Sequence, residues 1–355
     1  MSTTHRRPSA VVISALGAAL ALVATAACSG GASDVVGAGA APSGSAQTGA
    51  AGGGGTIKLY AYAVPKVGFD RVIPAFSATP AGQGVTFQQS YGASGDQSRK
   101  VAAGAVADIV NFSVEPDITR LVTAGLVDPS WNSSPTKGIP FGSVVTIVVR
   151  KGNPKGIKDW DDLLKPDVNV VTPNPFSSGS AKWNLLAPYA AKSQGGTTAQ
   201  AGLDYVSALV KDHVTTQPKS GREAGETFLQ ATGDALISYE NEALFLERDG
   251  DPVEHVTPPT TFKIENPVAV VKTSQNLSVA NAFNDYLYGP EAQKLLAEAG
   301  FRVVDTAVAA EYASRFPAPA KLWTIDDLGG WKTVDAALFG KDTGTIAQIY
   351  DAATK

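Results

Sequence analysis

Cysteine and histidine are nearly absent from this chain of 355 residues. Cys28 is the only cysteine, so no internal disulfide is available. Of the three histidines, His5 lies in the N-terminal segment, while His213 and His255 are far apart, each beside a strand-like run. Neither stands at a spacing from other ligand-type residues that would hold a metal ion, and no metal or other cofactor is expected. No G-x-S-x-G elbow, Walker-type phosphate loop or dinucleotide fingerprint occurs, which leaves hydrolase and nucleotide chemistry little support. A basic surface is missing too. Setting aside residues 1–55 removes Arg6, Arg7 and Asp34, leaving 27 basic and 32 acidic residues and a net charge of −5. That balance excludes a nucleic-acid footprint, and any bound anion must be held by local geometry against a mildly repulsive field.

The N-terminus has the pattern of a leader. His5, Arg6 and Arg7 precede an apolar run from Ala10 to Ala27 that ends in small residues and Cys28. A basic start, an apolar middle and a small-residue cleavage site are the parts of a secretion signal. Ser14 and Gly17 interrupt the run too much for a permanent transmembrane helix. The position of Cys28 after "ATAA" resembles a lipobox, where bacteria attach diacylglycerol, although Thr25 stands where that motif usually has an aliphatic residue. Residues 1–28 are therefore expected to be a lipoprotein signal, with a lipid anchor on Cys28. Residues 29–55, Gly/Ala/Ser-rich and almost uncharged, are expected to be a flexible tether.

From Thr56 onward, short apolar runs alternate with helical patterns. "TIKLYAY" (56–62), "GVTFQQS" (84–90), "ADIVNFS" (107–113), "SVVTIVVRKG" (143–152), "VNVVT" (168–172), "HVTTQ" (213–217), "ALISY" (235–239) and "NPVAVVKT" (266–273) read as strands. This βα alternation predicts an α/β fold with parallel sheets. The long strands near 143–150 and 266–273 are candidates for crossings between two lobes. The expected division is 56–145 plus 266–355 for lobe I and 146–265 for lobe II. Pro188 within "WNLLAPYAAK" implies a kinked or a shortened helix.

Three junctions place small polar residues where a strand hands over to a helix: "SYGASGDQSRK", "TPNPFSSGSAKWN" and "KSGREAGETF". Ser94 stands three residues before Gln97, a capping-box spacing. Serine and glycine at helix starts are ordinary caps. Three such junctions at the carboxyl ends of strands, however, mark the edge where open α/β sheets bind ligands. Glu240 and Glu242 in "YENEA" are two apart, so they do not share a helix face. One is expected to point away, and both to serve as caps or ion-pair partners.

The segments "SYGASGDQSRKVAAGAVADIVNFS", "VVRKGNPKGIKDWDDLLKP", "NVVTPNPFSSGSAKWN", "GDALISYENEAL" and "YGPEAQKLLAEAGFR" resemble one family. It is that of the sulfate-binding proteins of sulfate/thiosulfate ABC importers, and the chain looks most like its lipid-anchored actinobacterial members. The resemblance runs from about Leu59 to the C-terminal region, and "RKGNPK" and "TPNPxSSG" are its most specific pieces. It implies a periplasmic-binding-protein-like type II fold, two lobes closing on a dehydrated sulfate or thiosulfate for delivery to membrane permease subunits. It also implies a monomer that binds and does not catalyse. In the family, the anion accepts hydrogen bonds from backbone N–H groups at helix N-termini, serine hydroxyls and one indole.

Carried over, those contacts fall at Val64, Ser94, Ser178, Gly179, Ser180 and, for the indole, Tyr239. Val64 replaces an Asp that donates only its backbone N–H, Ser180 replaces a Gly, and Tyr239 replaces a Trp. Asp96 stands where the family usually has Lys and is expected to face solvent. Arg222, beside Ser220 and Gly221, is a further candidate contact. Two other readings stay open: a receptor of the same fold for molybdate, phosphate or a small organic acid, and an exported enzyme with Ser178 as nucleophile.

Overall fold

A computed structural model describes residues 54–353, so Cys28 and nearly all of the expected tether lie outside the described residues. The chain opens with β1 (Thr56–Tyr62), α1 (Lys66–Ala78), β2 (Thr86–Gly92), α2 (Ser94–Ala102), β3 (Ile109–Asn111) and α3 (Glu115–Thr123). It continues through β4 (Phe141–Arg150), β5 (Val170–Val171), α4 (Gly179–Lys192), α5 (Ala199–Ala208) and β6 (Val214–Thr216). Next come α6 (Gly221–Leu229), β7 (Ala235–Tyr239), α7 (Glu240–Asp249), β8 (Val253–Val256), β9 (Thr260–Asn266) and β10 (Val268–Val270). The last part holds α8 (Leu277–Tyr286), α9 (Pro290–Ala299), β11 (Arg302–Val303), α10 (Thr306–Glu311), β12 (Lys321–Trp323), α11 (Gly330–Val334) and α12 (Thr345–Ala353).

Two sheets form, one per lobe: a four-stranded sheet in the order β10-β3-β1-β2 and a larger one in the order β12-β9-β4-β7-β5-β6. The long β4, "FGSVVTIVVR", is rich in β-branched residues and buried at every position but its last, as befits a strand near the middle of the larger sheet. The sheets are mixed, where alternation alone predicted parallel ones. β1 runs parallel to β2 and β3, and β5 runs parallel to β6 and β7. β10 is antiparallel to β3, and β4 is antiparallel to β7, β8, β9 and β11.

The single strand expected over 266–273 is instead divided between the sheets. Asn266 ends β9 opposite Phe141, while Val268 begins β10 opposite Asn111. Pro267 lies between them and has no N–H to give a ladder. Its carbonyl accepts from the Asn111 side chain at 2.9 Å and from the Phe112 N–H at 3.1 Å, which pins the crossing. The residues after Lys321 also differ from the expected division. β12 pairs with β9, Trp331 meets Trp183 edge to face at 4.7 Å, and Asp335 pairs with Lys182. This segment packs on the larger sheet's side, because its aromatic residues find their apolar surface on α4. Helix α4 continues past a buried Pro188 to Lys192.

Candidate functional site

Parallel pairing decides what meets at the cleft. β1, β2 and β3 run the same way, so their carboxyl ends deliver Val64, Ser94 and Ser113 to one edge of the smaller sheet. β5, β6 and β7 do the same in the larger sheet for Ser178, Ser220 and Tyr239. The two edges touch. The Gly95 N–H donates to the Ser177 carbonyl at 3.1 Å, and the Tyr239 and Ser113 hydroxyls are 2.7 Å apart. The Trp183 indole donates to the Ser113 carbonyl at 2.8 Å, and Arg222 Nη2 lies 3.5 Å from the Val64 carbonyl.

Glycine is required where the lobes approach most closely. A Cβ on Gly179 would lie 2.8 Å from the Ser113 Cβ, and one on Gly221 would lie 3.0 Å from Ser180 Oγ and 3.2 Å from Val64 Cγ2. These positions explain the small residues in "SSGSAKW" and "KSGREAG": a side chain there would hold the lobes apart. They also bring Val64, Ser113, Gly179, Ser180, Gly221 and Tyr239 within one small region.

The helices that point into this region carry few caps. α1, α2, α3, α4 and α7 begin without a side-chain cap hydrogen bond. The first N–H groups of a helix have no intrahelical acceptor, and the helix dipole places partial positive charge there. Several uncapped N-termini meeting at one buried point make a site for an anion.

The three serine junctions have different local chemistry. Ser94 is the first residue of α2, after an Ala93 N-cap, so the expected capping box with Gln97 does not form. Its hydroxyl donates to Asp117 Oδ2 at 2.6 Å and accepts from the Ser113 N–H at 2.9 Å, and Gln97 turns to Ser90 instead. A hydroxyl has a single proton, so Ser94 offers the cleft its backbone N–H. Ser178 is the N-cap of α4, yet its hydroxyl makes no cap bond; the residue is buried and, with Gly179, borders a cavity of about 580 Å³ that also takes in Arg99, Arg120 and Lys182 but not Val64, Ser94 or Tyr239. Ser220 does cap: its Oγ accepts from the Glu223 N–H at 3.2 Å.

Tyr239 is buried at the end of β7, with the Ser113 hydroxyl 2.7 Å from its own. Burial pushes its pKa well above the ordinary phenol value, so it is a neutral O–H at any working pH. Trp183 is not the missing indole donor, because its N–H is spent on the Ser113 backbone.

Arg222, a candidate contact from the sequence, is the counter-charge of a buried carboxylate. Its Nη2 lies 2.8 Å from Glu242 Oε1, and its guanidinium lies over the Phe245 ring at 4.2 Å. Both glutamates of "YENEA" serve as ion-pair partners, as expected, and neither is exposed. Glu240 takes a two-bond grip from Arg302 at 2.7 and 2.8 Å, and Glu242 takes Arg222. They do use different faces of α7, but both faces are covered. Asp96 is half-exposed and paired with Arg99 at 2.5 Å, as its expected outward position requires. His213 bonds the Val168 carbonyl and His255 pairs with Glu247, so neither bonds Ser178.

Ser113 was not singled out in the sequence, although it ties both lobes together. A serine at a strand end gives no signal of its own without a partner position. Four cations around the cleft have a carboxylate: Arg99 with Asp96, Arg120 with Asp117, Lys182 with Asp335 and Arg222 with Glu242. Lys341 lines the same cavity and forms no ion pair among the described residues. The arrangement can surround a small anion with neutral donors, because most of the nearby cations already hold carboxylates.

The description "Bacterial extracellular solute-binding protein" fits residues 57–302 of this chain. Among solved structures, the sulfate-binding protein SubI from Mycobacterium tuberculosis H37Rv is 65% identical, with a TM-score of 0.79 over 80% of this chain and 99% of that one. A sulfate-binding protein of Synechococcus elongatus is 38% identical, covering 88% of this chain and 92% of its own length. A thiosulfate-binding protein of Pseudomonas aeruginosa is 34% identical, covering 76% and 83% respectively. With the two-lobed architecture and the cleft between its sheet edges, these likenesses establish that the chain belongs to the bacterial extracellular solute-binding proteins.

Proposed function

We propose that this protein captures sulfate or thiosulfate outside the cytoplasmic membrane and delivers it to the permease of an ABC-type importer. The carrying observation is the meeting of uncapped helix N-termini from two lobes at a buried junction furnished with hydroxyls. Relatives named for sulfate and thiosulfate support that anion class. In this reading the anion accepts from the N–H groups of Val64, Ser94, Gly179 and Ser180, and from the hydroxyls of Ser178 and Tyr239. The Gly221 N–H joins them, and Arg222 holds Glu242 in place nearby. Capture by a monomer, rather than turnover, is the task such a site performs.

Sulfate has no proton near neutral pH and meets donors only. Phosphate retains a P–O–H, and a donor facing donors leaves a buried hydrogen bond unmade, at about 1–3 kcal/mol per group plus the repulsion between the two hydrogens. Calorimetry of residues 56–355 is expected to give sulfate binding at least about a hundredfold tighter than phosphate. Comparable affinities for the two anions, or no heat with sulfate or thiosulfate, would contradict the assignment. The anchor proposed on Cys28 has its own test. Cys28→Ser should move the exported protein to the soluble fraction, and retention after a high-salt wash would sink it.

A further inference from the structure

Resting on the sulfate reading above, we propose that the Tyr62 hydroxyl is a further donor to the bound oxyanion and helps determine how tightly it is held. Tyr62 ends β1 in register with Gly92, the last residue of β2. Two positions on, those strands supply Val64 and Ser94, so the ring stands at the root of the anion site. The residue is 2% exposed, and its hydroxyl has no hydrogen-bond partner in the protein. Buried phenols nearly always find a partner. Burial first, and then the Glu242 carboxylate of the opposite lobe, raise the Tyr62 pKa, which keeps the O–H protonated. Neither Tyr239, 2.7 Å from the Ser113 hydroxyl, nor Glu242, which holds Arg222, forms a hydrogen bond with it.

The Tyr62 ring belongs to the buried apolar core. The fold therefore holds a desolvated donor next to the site without an acceptor of its own, and an oxyanion on the helix N-termini provides one. Such a donor costs stability while unpaired and returns it on binding, so its effect falls on the complex. A phenol also adds no charge to the site.

Calorimetry with sulfate, comparing the natural protein with Tyr62→Phe, tests this directly. The variant removes one oxygen and keeps the ring. Its sulfate Kd is expected to rise at least fivefold, while its melting temperature without anion stays level or increases. The sulfate-induced rise in melting temperature, taken from each protein's own baseline, gives the same comparison if the variant is less stable. A smaller change in Kd, with the natural protein binding normally, overturns the role of Tyr62 alone. Failure of the natural protein to bind sulfate overturns the receptor reading and this inference with it.

Discussion

Ser94 and Ser178 occupy matching places, each at the handover from a strand to a helix, one in each sheet. They look alike in sequence and differ in chemistry. Ser94 is bonded on both sides within its own lobe, to Asp117 and to the Ser113 N–H. Ser178 caps nothing and reaches the cavity. One edge of the cleft is thus braced internally, while the serine at the other has no cap bond to hold it. Ser220 is a third case, an ordinary cap. The lesson is that a serine at a helix start is free to serve a ligand only when no neighbour claims its proton. Asp117 makes that claim on Ser94, and nothing does so on Ser178's cap position.

The strongest way to break this contrast is to disturb the larger lobe's bracing, which rests on Arg222. Glu242 is buried, and desolvation raises its carboxyl pKa above the ordinary value even with Arg222 beside it. Removing one partner of such a pair leaves a buried charge alone and typically costs about 3–5 kcal/mol. Arg222→Ala is therefore expected to destabilise the protein on that scale near neutral pH, as measured by denaturant unfolding without anion. The sign of the pH dependence follows from the raised pKa. A carboxyl that prefers its proton when folded carries no penalty below the ordinary glutamate range. The penalty grows as pH rises through the elevated folded value. The deficit of Arg222→Ala should accordingly shrink in acid. A stable variant at neutral pH with sulfate binding abolished would instead make Arg222 a direct contact.

Most of the fold was legible because its signals are local. β1, β4 and β7 are apolar runs, and α4 follows a small-residue junction, so periodicity and punctuation sufficed. What was not legible depended on direction and on distant partners. Nothing in "NPVAVVKT" states that Asn266 and Val268 belong to different sheets. That follows from β4 and β3 offering separate edges on either side of Pro267. At the site, the helix-start serines Ser94, Ser178 and Ser220 and Gly179 could be named from spacing and family likeness, whereas Ser113 could not. The capture of Ser94 by Asp117, of Arg222 by Glu242 and of Tyr239 by Ser113 could not, since each pairing spans 20 or more residues. The unpartnered Tyr62 is of the same kind, as only the packed structure shows that no acceptor reaches it.

Ser94→Ala sharpens the comparison at the next level. It takes a donor from buried Asp117 and the acceptor from the Ser113 N–H, leaving a buried polar group short of a bond at about 1–3 kcal/mol. Arg120 still holds Asp117 at 2.8 Å, which should keep the loss within that range. Thermal or denaturant unfolding of the anion-free protein should register it. Sulfate affinity should change less, since the Ser94 N–H remains. A large affinity loss with unchanged stability would show the hydroxyl turning from Asp117 to the anion.

Ser178→Ala and Ser220→Ala separate a ligand from a cap at the smallest scale. Ser178 has no cap bond to lose, so anion-free stability should hold while sulfate affinity falls by roughly 1–3 kcal/mol, as for a hydrogen bond to a charged acceptor. Ser220→Ala should do the reverse. Its Oγ holds the Glu223 N–H, and replacing an N-cap serine with alanine costs about 1 kcal/mol of stability. Affinity should stay near that of the natural protein, because the Gly221 backbone remains. The pair is decisive because the substitutions are chemically identical and both residues head helices of the larger lobe. Equal affinity losses would mean that both hydroxyls reach the anion. Equal stability losses with unchanged affinity would make Ser178 a cap in solution, and the contrast with Ser94 would then rest on bracing alone.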